Sequence, residues 1–456
     1  MSITGVPAPD AAARHHEQER PASVVVVGAG LAGAQTVAAL RRHGFDGRVT
    51  LVGAEKVLPY DRPPLSKELV TRTDPAWLSD ELDVDVLTLA DEVRLAESAV
   101  GLELLDDGVV VRTRRTDSTD STDSTIRADA VVLACGARAV RPAAWPDALG
   151  LYTASDAAAL RQRLASAHRL VVVGGGWIGA EVAGVVAASG TAVTVVEAAP
   201  EPLAGPLGTG VGALTRQWYA DAGITLLTGV SVGGVDATGV VLSDGTRLPA
   251  DVVLAAVGAV PATAWLRGTL PLTARGAVPV GPTGSLEVGG AAGGPTLSAR
   301  AASRVWAVGD CADRRTDRFG VVAGAHWTGA LTHPEAVACA ITGHPAPPES
   351  APYVFSDQLG HHLTVVGTPE PDAEVVHRGS PGAPDGWTTL WVRRPADGAT
   401  ADARELLAVL TVDRPRDVGP ARRILSGSRP PMIDVLRACD PAVPLKASVV
   451  GPAPSV

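Results

Sequence analysis

The sequence predicts an α/β fold made of two Rossmann-like dinucleotide-binding domains followed by a C-terminal α+β domain. Three observations lead there: a glycine fingerprint at Gly28 to Gly33, a second at Gly174 to Gly179, and a change of composition after Gly343. Each fingerprint stands between a continuous apolar run and a helical pattern, which is the order a strand-turn-helix unit requires. A chain of 456 residues has room for about three domains of ordinary size.

The first unit starts with a buried strand, Ser23 to Gly28. It continues as a helical pattern through Val37, Leu40 and His43 and returns as a second strand, Val49 to Val52. In Gly28-Ala29-Gly30-Leu31-Ala32-Gly33, Gly28 allows the tight turn and Gly30 lets the backbone approach a pyrophosphate. Gly33 lets helix and strand pack closely, and Leu31 and Ala32 open the helix whose N-terminus faces the phosphate charge. Glu55, beyond the second strand, stands where a carboxylate meets an adenosine ribose.

The same order recurs in Leu170 to Gly174, Ile178 to Ser189 and Val193 to Glu197, so the chain repeats one architecture and two nucleotides are implied. Its fingerprint is Gly174-Gly175-Gly176-Trp177-Ile178-Gly179. Glu197 ends the second strand of this unit, and a carboxylate there accepts ribose hydroxyls and repels a 2′-phosphate. No basic residue follows it through Glu201, which favours NADH over NADPH.

Between the units, Thr113 to Thr125 carries Asp-Ser-Thr three times and reads as a solvated hairpin loop flanked by Val109 to Val111 and Ala130 to Ala134. Gly281 to Gly294 is a second glycine-rich loop, preceding a strand at Val305 to Val308. Asp310 follows that strand, placed either to bind a polyol hydroxyl or to cap a helix beginning at Cys311. Pro345, Pro347 and Pro348 read as a linker to a third domain with strands such as Leu363 to Val366 and Leu406 to Val412.

Composition narrows the class. With 39 Lys and Arg against 49 Asp and Glu, the net charge of -10 gives no general attraction to nucleic acid or to an anionic membrane. The first 22 residues contain no apolar core segment and read as a loose tail, not a signal peptide. The most apolar stretch, Val24 to Leu40, is interrupted by Gly28, Gly30, Gly33, Gln35 and Thr36, so a soluble, cytoplasmic monomer or dimer is expected. Cys135, Cys311, Cys339 and Cys439 are far apart, without a CxxC or metal-ligand spacing, and read as small buried hydrophobes.

These motifs in this order resemble the glutathione-reductase-like flavoproteins. Within that group, Tyr60-Asp61-Arg62-Pro63-Pro64-Leu65-Ser66-Lys67 resembles the FAD-dependent NADH:ferredoxin reductases of Rieske dioxygenase and haem monooxygenase systems. The likeness continues through Leu133-Ala134-Cys135-Gly136-Ala137-Arg138, Val257-Gly258-Ala259-Val260-Pro261, Val308-Gly309-Asp310-Cys311-Ala312, His326-Trp327-Thr328, Ser356-Asp357-Gln358 and Asp413-Arg414-Pro415-Arg416-Asp417, to Val443-Pro444-Leu445-Lys446.

The resemblance implies an FAD domain in two segments, 23–148 and 269–345, split by an NAD domain at 149–268, with a C-terminal domain at 346–456 after the 1–22 tail. It implies Lys67 beside the flavin, paired with Glu181 from the helix after the second fingerprint, a cation that stabilises charge developing on the ring. It also implies FAD contacts from Arg62, Pro63, Val93, Ala134, Gly136, Gly309 and Asp310, and a dinucleotide contact from Gly258. Trp327 is implied at the flavin, as an electron-coupling or a packing residue. The implied partner is a small [2Fe-2S]-type ferredoxin, for which Arg314, Arg315 and Arg318 are either a docking face or a solvated loop.

Several residues depart from the family's pattern: Ala54 for a ribose-binding Asp, Thr153 for an FAD-holding Arg, Cys135 for Thr, Phe355 for Trp and Ala325 for Glu. The stretch between Lys67 and Val93 is also shortened. A disulfide reductase, peroxidase or oxidase needs a cysteine near Lys67, and Tyr60 to Val70 contains none. A reductase serving another biosynthetic acceptor and a signalling flavoprotein of the apoptosis-inducing type remain as alternatives.

Overall fold

The computed structural model describes residues 20–117, 123–288, 295, 297–324, 326–394 and 403–452. The N-terminal tail to residue 19, the middle of the Asp-Ser-Thr stretch, part of the Gly281 to Gly294 loop and Ala325 lie outside the described residues.

Strand Ser23–Val27 is an unbroken valine run because it is covered on both faces and pairs in parallel on both sides. Its sheet runs in the order Val305–Ala307, Ala130–Leu133, Ser23–Val27, Arg48–Val52, Glu92–Arg94, all parallel. The strand Val305–Ala307 comes from beyond the second fingerprint, so the first dinucleotide unit is completed only after the chain has built the second. Helix Leu31–Arg42 packs against helix Trp327–Thr342 through Val37, Leu40, Val337 and Ile341. His43 is the C-cap of the first of these helices rather than one of its turns.

The second unit has the parallel order Thr225–Thr228, Ala192–Glu197, Arg169–Val173, Val252–Ala255. Helix Trp177–Ala188 buries Ala180, Val182, Ala183 and Val186 against it. The C-terminal region is an antiparallel sheet in the order Tyr353–Gln358, His361–Gly367, Ala403–Val412, Trp387–Arg393, Glu374–Arg378. One face packs Trp391, Leu407 and Leu410 with Leu203, Leu207 and Trp218 of the second unit, and the other is covered by Ala421 and Leu425 of helix Pro415–Leu425. The Asp413 to Asp417 segment has a structural use here. Asp417 lies between the buried guanidinia of Arg378 and Arg414, and Arg378 also donates to the carbonyl oxygens of Ala438 and Val443. That fastens the C-terminal turn to the sheet.

One local expectation is corrected and one open alternative is closed. Thr113 and Asp123 to Thr125 lie in paired strands, Gly108–Arg115 with Asp123–Ala128, and Thr113 is fully buried, so both ends of the expected loop are strand. Ala130–Leu133 belongs to the parallel sheet and is not this hairpin's second strand. Of the two alternatives at Asp310, the helix cap falls: Asp310 sits in a 3-10 turn, Gly309–Cys311, that leads directly into strand Ala312–Thr316. No helix among the described residues is long and apolar enough to cross a membrane.

Candidate functional site

The two glycine turns are built alike. Gly28 has φ +118°, and a Cβ there would fall 2.1 Å from the Ala134 carbonyl oxygen; Gly174 has φ +108°, and its Cβ would fall 2.4 Å from that of Ala256. Added Cβ atoms on Gly33 and Gly179 would lie 1.8 and 2.0 Å from the carbonyl oxygens of Gly28 and Gly174, which is why both helices start hard against their strands. The middle glycines are different. A Cβ added on Gly30 would come no nearer than 3.9 Å to the Arg62 guanidinium, and one on Gly176 would meet nothing within 4 Å. Each turn is therefore closed behind and open in front of a helix N-terminus, a cradle that a Cβ would fill and that suits a diphosphate.

Both cradles open into one continuous cavity of about 1240 Å³. Of the expected site residues, Gly28, Gly30, Leu31, Ala32, Glu55, Arg62, Pro63, Lys67, Ala134, Gly136, Asp310 and Trp327 line it from the first unit. Gly174, Gly176, Trp177, Ile178, Glu181, Glu197 and Gly258 line it from the second. Gly33 and Gly179 do not, since they face the strands behind. Val93 does not line it either: it pairs with Leu51 and packs into the core below helix Leu31–Arg42, and Val57, Ser98 and Ala99 form the wall in its place. Gly309 lies against Ala32 and borders a neighbouring recess of about 490 Å³.

Where the units meet, the Lys67 ammonium donates to Glu181 Oε1 at 2.7 Å, with the two side chains 14% and 4% exposed. Glu181 tolerates this burial because Ser66 Oγ donates to Oε2 and Ser356 Oγ to Oε1, each at 2.5 Å. A second carboxylate, Asp357, reaches Lys67 at 3.2 Å, and the Phe355 ring lies 5.1 Å from the ammonium. Lys67 and its neighbour Arg62 hold the Asp357 and Glu55 carboxylates in place. For Asp357, burial works against the charge, but the bonds from His362 and Lys67 outweigh it and keep the carboxyl below its usual range.

Toward the first fingerprint, Arg62 NH2 donates to Glu55 Oε1 at 3.0 Å and its NH1 to the Tyr152 carbonyl oxygen, with the guanidinium 4.5 Å from the Tyr152 ring. Tyr60 donates to Glu55 Oε2 at 2.7 Å. Glu55 thus borders the cavity with its carboxylate already engaged. Tyr152 Oη accepts from Ala137 N and donates to Asp310 Oδ2 at 3.2 Å, and burial together with Asp310 raises its phenol well above the usual range. Thr153 turns away to cap helix Ala154–Leu164 in a reciprocal capping box with Asp156. Trp327 Nε1 donates to Asp61 Oδ1 at 2.7 Å, which orients the half-buried indole edge-on to Phe355.

At the second fingerprint, Glu197 Oε2 accepts from Gly175 N at 2.6 Å and Oε1 from Ala199 N at 2.7 Å. The carboxylate is held by backbone amides at the cavity wall.

Cys135 and Cys311, separated in sequence, are neighbours in one apolar cluster, and Cys135 borders the cavity beneath the Gly28 turn. Contact with Cys311, then burial, raises the Cys135 thiol above its usual range. Arg314 is paired with Glu349 and Arg315 with Glu287, while Arg318 lies over the Phe319 ring with burial lowering its pKa. The charge of this face is largely compensated.

Sequence reasoning missed Ser66, Tyr60, Tyr152, Ser356 and Asp357 as site residues. Tyr60 and Ser66 stood inside the recognised string, and Ser356 and Asp357 in another, but only the meeting of three sheets shows what they touch.

A family model described as pyridine nucleotide-disulphide oxidoreductase matches residues 22–332, and one described as reductase C-terminal matches residues 353–449. The chain is 33% identical over 418 residues to the ferredoxin reductase component of a chlorobenzene dioxygenase from Cupriavidus sp. (strain PS12), covering 88% of this chain and 92% of that one. It is 30% identical over 457 residues to putidaredoxin reductase CamA of Pseudomonas putida, covering 93% and 96%. A solved ferredoxin reductase from Rhodopseudomonas palustris matches with a TM-score of 0.79 at 29% identity, covering 93% of this chain and 99% of that one.

Proposed function

Because this chain belongs to the pyridine nucleotide-disulphide oxidoreductase family, in the branch of ferredoxin reductases that serve oxygenases, we propose that it passes electrons from NADH through FAD to a small [2Fe-2S]-type ferredoxin. One observation carries the reading. A single cavity joins the two diphosphate cradles, with the Lys67 and Glu181 pair at their junction and no cysteine in the Tyr60 to Val70 segment that carries Lys67.

FAD, when bound, takes two electrons as hydride and gives them up one at a time. The chain's own residues do the rest. Gly28, Gly30, Leu31 and Ala32 present backbone to its diphosphate, and Arg62, held by Glu55 and Tyr152, adds a fixed cation. Pro63, Ala134, Gly136 and Asp310 line the cavity toward Lys67, and Asp310 would hold the polyol chain. Gly174, Gly176, Trp177 and Ile178 do for NADH what the first turn does for FAD, while Gly258 leaves space beside it. Glu197 offers its remaining lone pairs to the ribose and excludes a 2′-phosphate by charge. Lys67, oriented by Glu181, would supply a cation that favours negative charge on a flavin held beside it.

The names of the similar proteins support the ferredoxin. Arg314, Arg315 and Arg318 are the docking residues we assign, and since two of them are already paired, their contribution is steering rather than tight binding.

Anaerobic stopped-flow reduction by NADH, followed by turnover on a panel of ferredoxins, tests the proposal. Reduction by NADH and single-electron delivery to at least one ferredoxin are expected. A tenfold preference for NADPH would overturn the Glu197 reading, and a reduced flavin that no ferredoxin reoxidises would overturn the acceptor.

A further inference from the structure

Lys67 lies between two carboxylates of different kinds. Glu181 is buried on helix Trp177–Ala188 and fixed by Ser66, Ser356 and Lys67, so it is a static anchor. Asp357 is 53% exposed, on strand Tyr353–Gln358, and divides its two oxygens: Oδ2 faces Lys67 at 3.2 Å, and Oδ1 meets His362 Nδ1 at 2.6 Å. Asp357 and His362 are directly opposite each other across the antiparallel hairpin, so the pairing is set by register rather than by a flexible loop.

We propose that Asp357 is a positioning residue for Lys67, and that His362, through Asp357, makes the setting of that ammonium depend on pH. The inference rests on the reading that places Lys67 beside the flavin.

The argument is one of charge. With His362 neutral, Glu181, Asp357 and Lys67 sum to one negative charge, and Asp357 is attracted to a single full cation. Protonated, His362 brings the group to neutrality and competes for the same carboxylate, which loosens the second hold on Lys67 and removes net negative charge from the junction. The surroundings do not duplicate this effect. Asp413 Oδ1 accepts the His362 backbone N–H at 2.7 Å, and its Oδ2 takes His361 Nδ1 at 2.7 Å. His361 is itself stacked on Trp218 at 4.2 Å, so it addresses Asp413 and not Asp357. The remaining partner of His362 is the Thr364 hydroxyl, 3.5 Å from Nε2. The His362 side chain is 48% exposed to solvent. Acidification through its titration should make the junction more favourable to incoming negative charge, and alkalinisation less so.

The test uses the full-length oxidised holoenzyme, labelled at lysine with nitrogen-15 and at histidine with carbon-13. In the wild type, the Lys67 ammonium signal should shift with an inflection at the pH where the His362 imidazole titrates. The inflection should vanish in His362→Gln and in Asp357→Asn, both at partly exposed positions where folding is not at stake. In parallel, NADH reduction one pH unit below the His362 midpoint should be about two- to fivefold faster than one unit above, as befits a half-exposed pair, and the difference should disappear in His362→Gln. A Lys67 signal that ignores the His362 titration, or an inflection that persists in His362→Gln, overturns the proposal. Lys67→Met separates the underlying reading: if it leaves the bound flavin's reduction potential unchanged, Lys67 is not at the flavin, whatever the labelled signals show.

Discussion

In the second dinucleotide unit, the Glu197 carboxylate accepts two backbone amides, those of Gly175 and Ala199, and has no basic side-chain partner among the described residues. In the first, Glu55 follows an equivalent strand and turn but faces Tyr60 and the Arg62 guanidinium. The glycine turns are alike in which Cβ atoms they exclude, so the fingerprint prescribes a diphosphate cradle in both halves and says nothing of what lies beyond it. The difference between the halves lies in the carboxylates: Glu197 is held by backbone amides, while Glu55 is paired with a guanidinium that it holds in place.

The largest effect should come from the glycines that the two halves share. Gly33→Ala and Gly179→Ala each put a methyl within 2 Å of a carbonyl oxygen, and the backbone shift costs about 3 kcal/mol or more, roughly a hundredfold in affinity. Gly33→Ala should purify without flavin colour. Gly179→Ala should keep its flavin and lose rapid reduction by NADH. Absorbance of the purified protein and stopped-flow reduction measure the two, and loss of both properties in either variant would mean that the halves are not separable.

Next come the carboxylates themselves. Glu197→Arg should shift the ratio of kcat/KM for NADH over NADPH by about a hundredfold toward NADPH, because it removes a repulsion and adds an attraction at one point. Glu55→Gln should leave that ratio within about twofold. It should weaken FAD retention by roughly tenfold, the worth of one charge-assisted bond to Arg62. A coenzyme switch from the Glu55 variant would erase the distinction between the halves.

Why one half was easier to read than the other follows from range. The strands, the turns and Glu197 are governed by residues near in sequence: valine runs, glycines with positive φ, and a carboxylate whose partners lie within the same unit. Resemblance brought Lys67 and Glu181 together across more than a hundred residues, and no local pattern could have. Asp357 and Ser356 reach that pair only because the C-terminal sheet places its first strand against both helix Trp177–Ala188 and helix Trp327–Thr342. Local polarity misled at the Asp-Ser-Thr repeats, which look like loop, yet Ser124 lies in a strand and bonds the buried Thr113 across the pair. At Asp310 it left two alternatives, and only the neighbouring strand that claims the residues that follow decides against the helix cap.

The smallest effect concerns acid stability, which, of the two dinucleotide units, should reside in the first. His333, on helix Trp327–Thr342, is 9% exposed, and burial together with the nearby Arg314 depresses its pKa to about 3. His326 at the start of that helix is lowered in the same direction, again by burial. A folded chain that refuses a proton competes with an unfolded chain that accepts one near pH 6.5, so stability is highest above that value. It falls as pH drops from there toward 3, with a limiting slope of about 1.4 kcal/mol per pH unit for each such histidine. The second unit has no counterpart, since its His168 is exposed. Tm measured at pH 7 and pH 5 should therefore fall mainly through the FAD-binding half, reported by flavin release before any loss of structure around helix Trp177–Ala188. His333→Gln replaces the titrating ring with a neutral donor within reach of the Pro282 carbonyl that Nε2 now faces at 3.1 Å, and should narrow the Tm gap between the two pH values. An unchanged gap would place acid sensitivity elsewhere and remove this contrast between the halves.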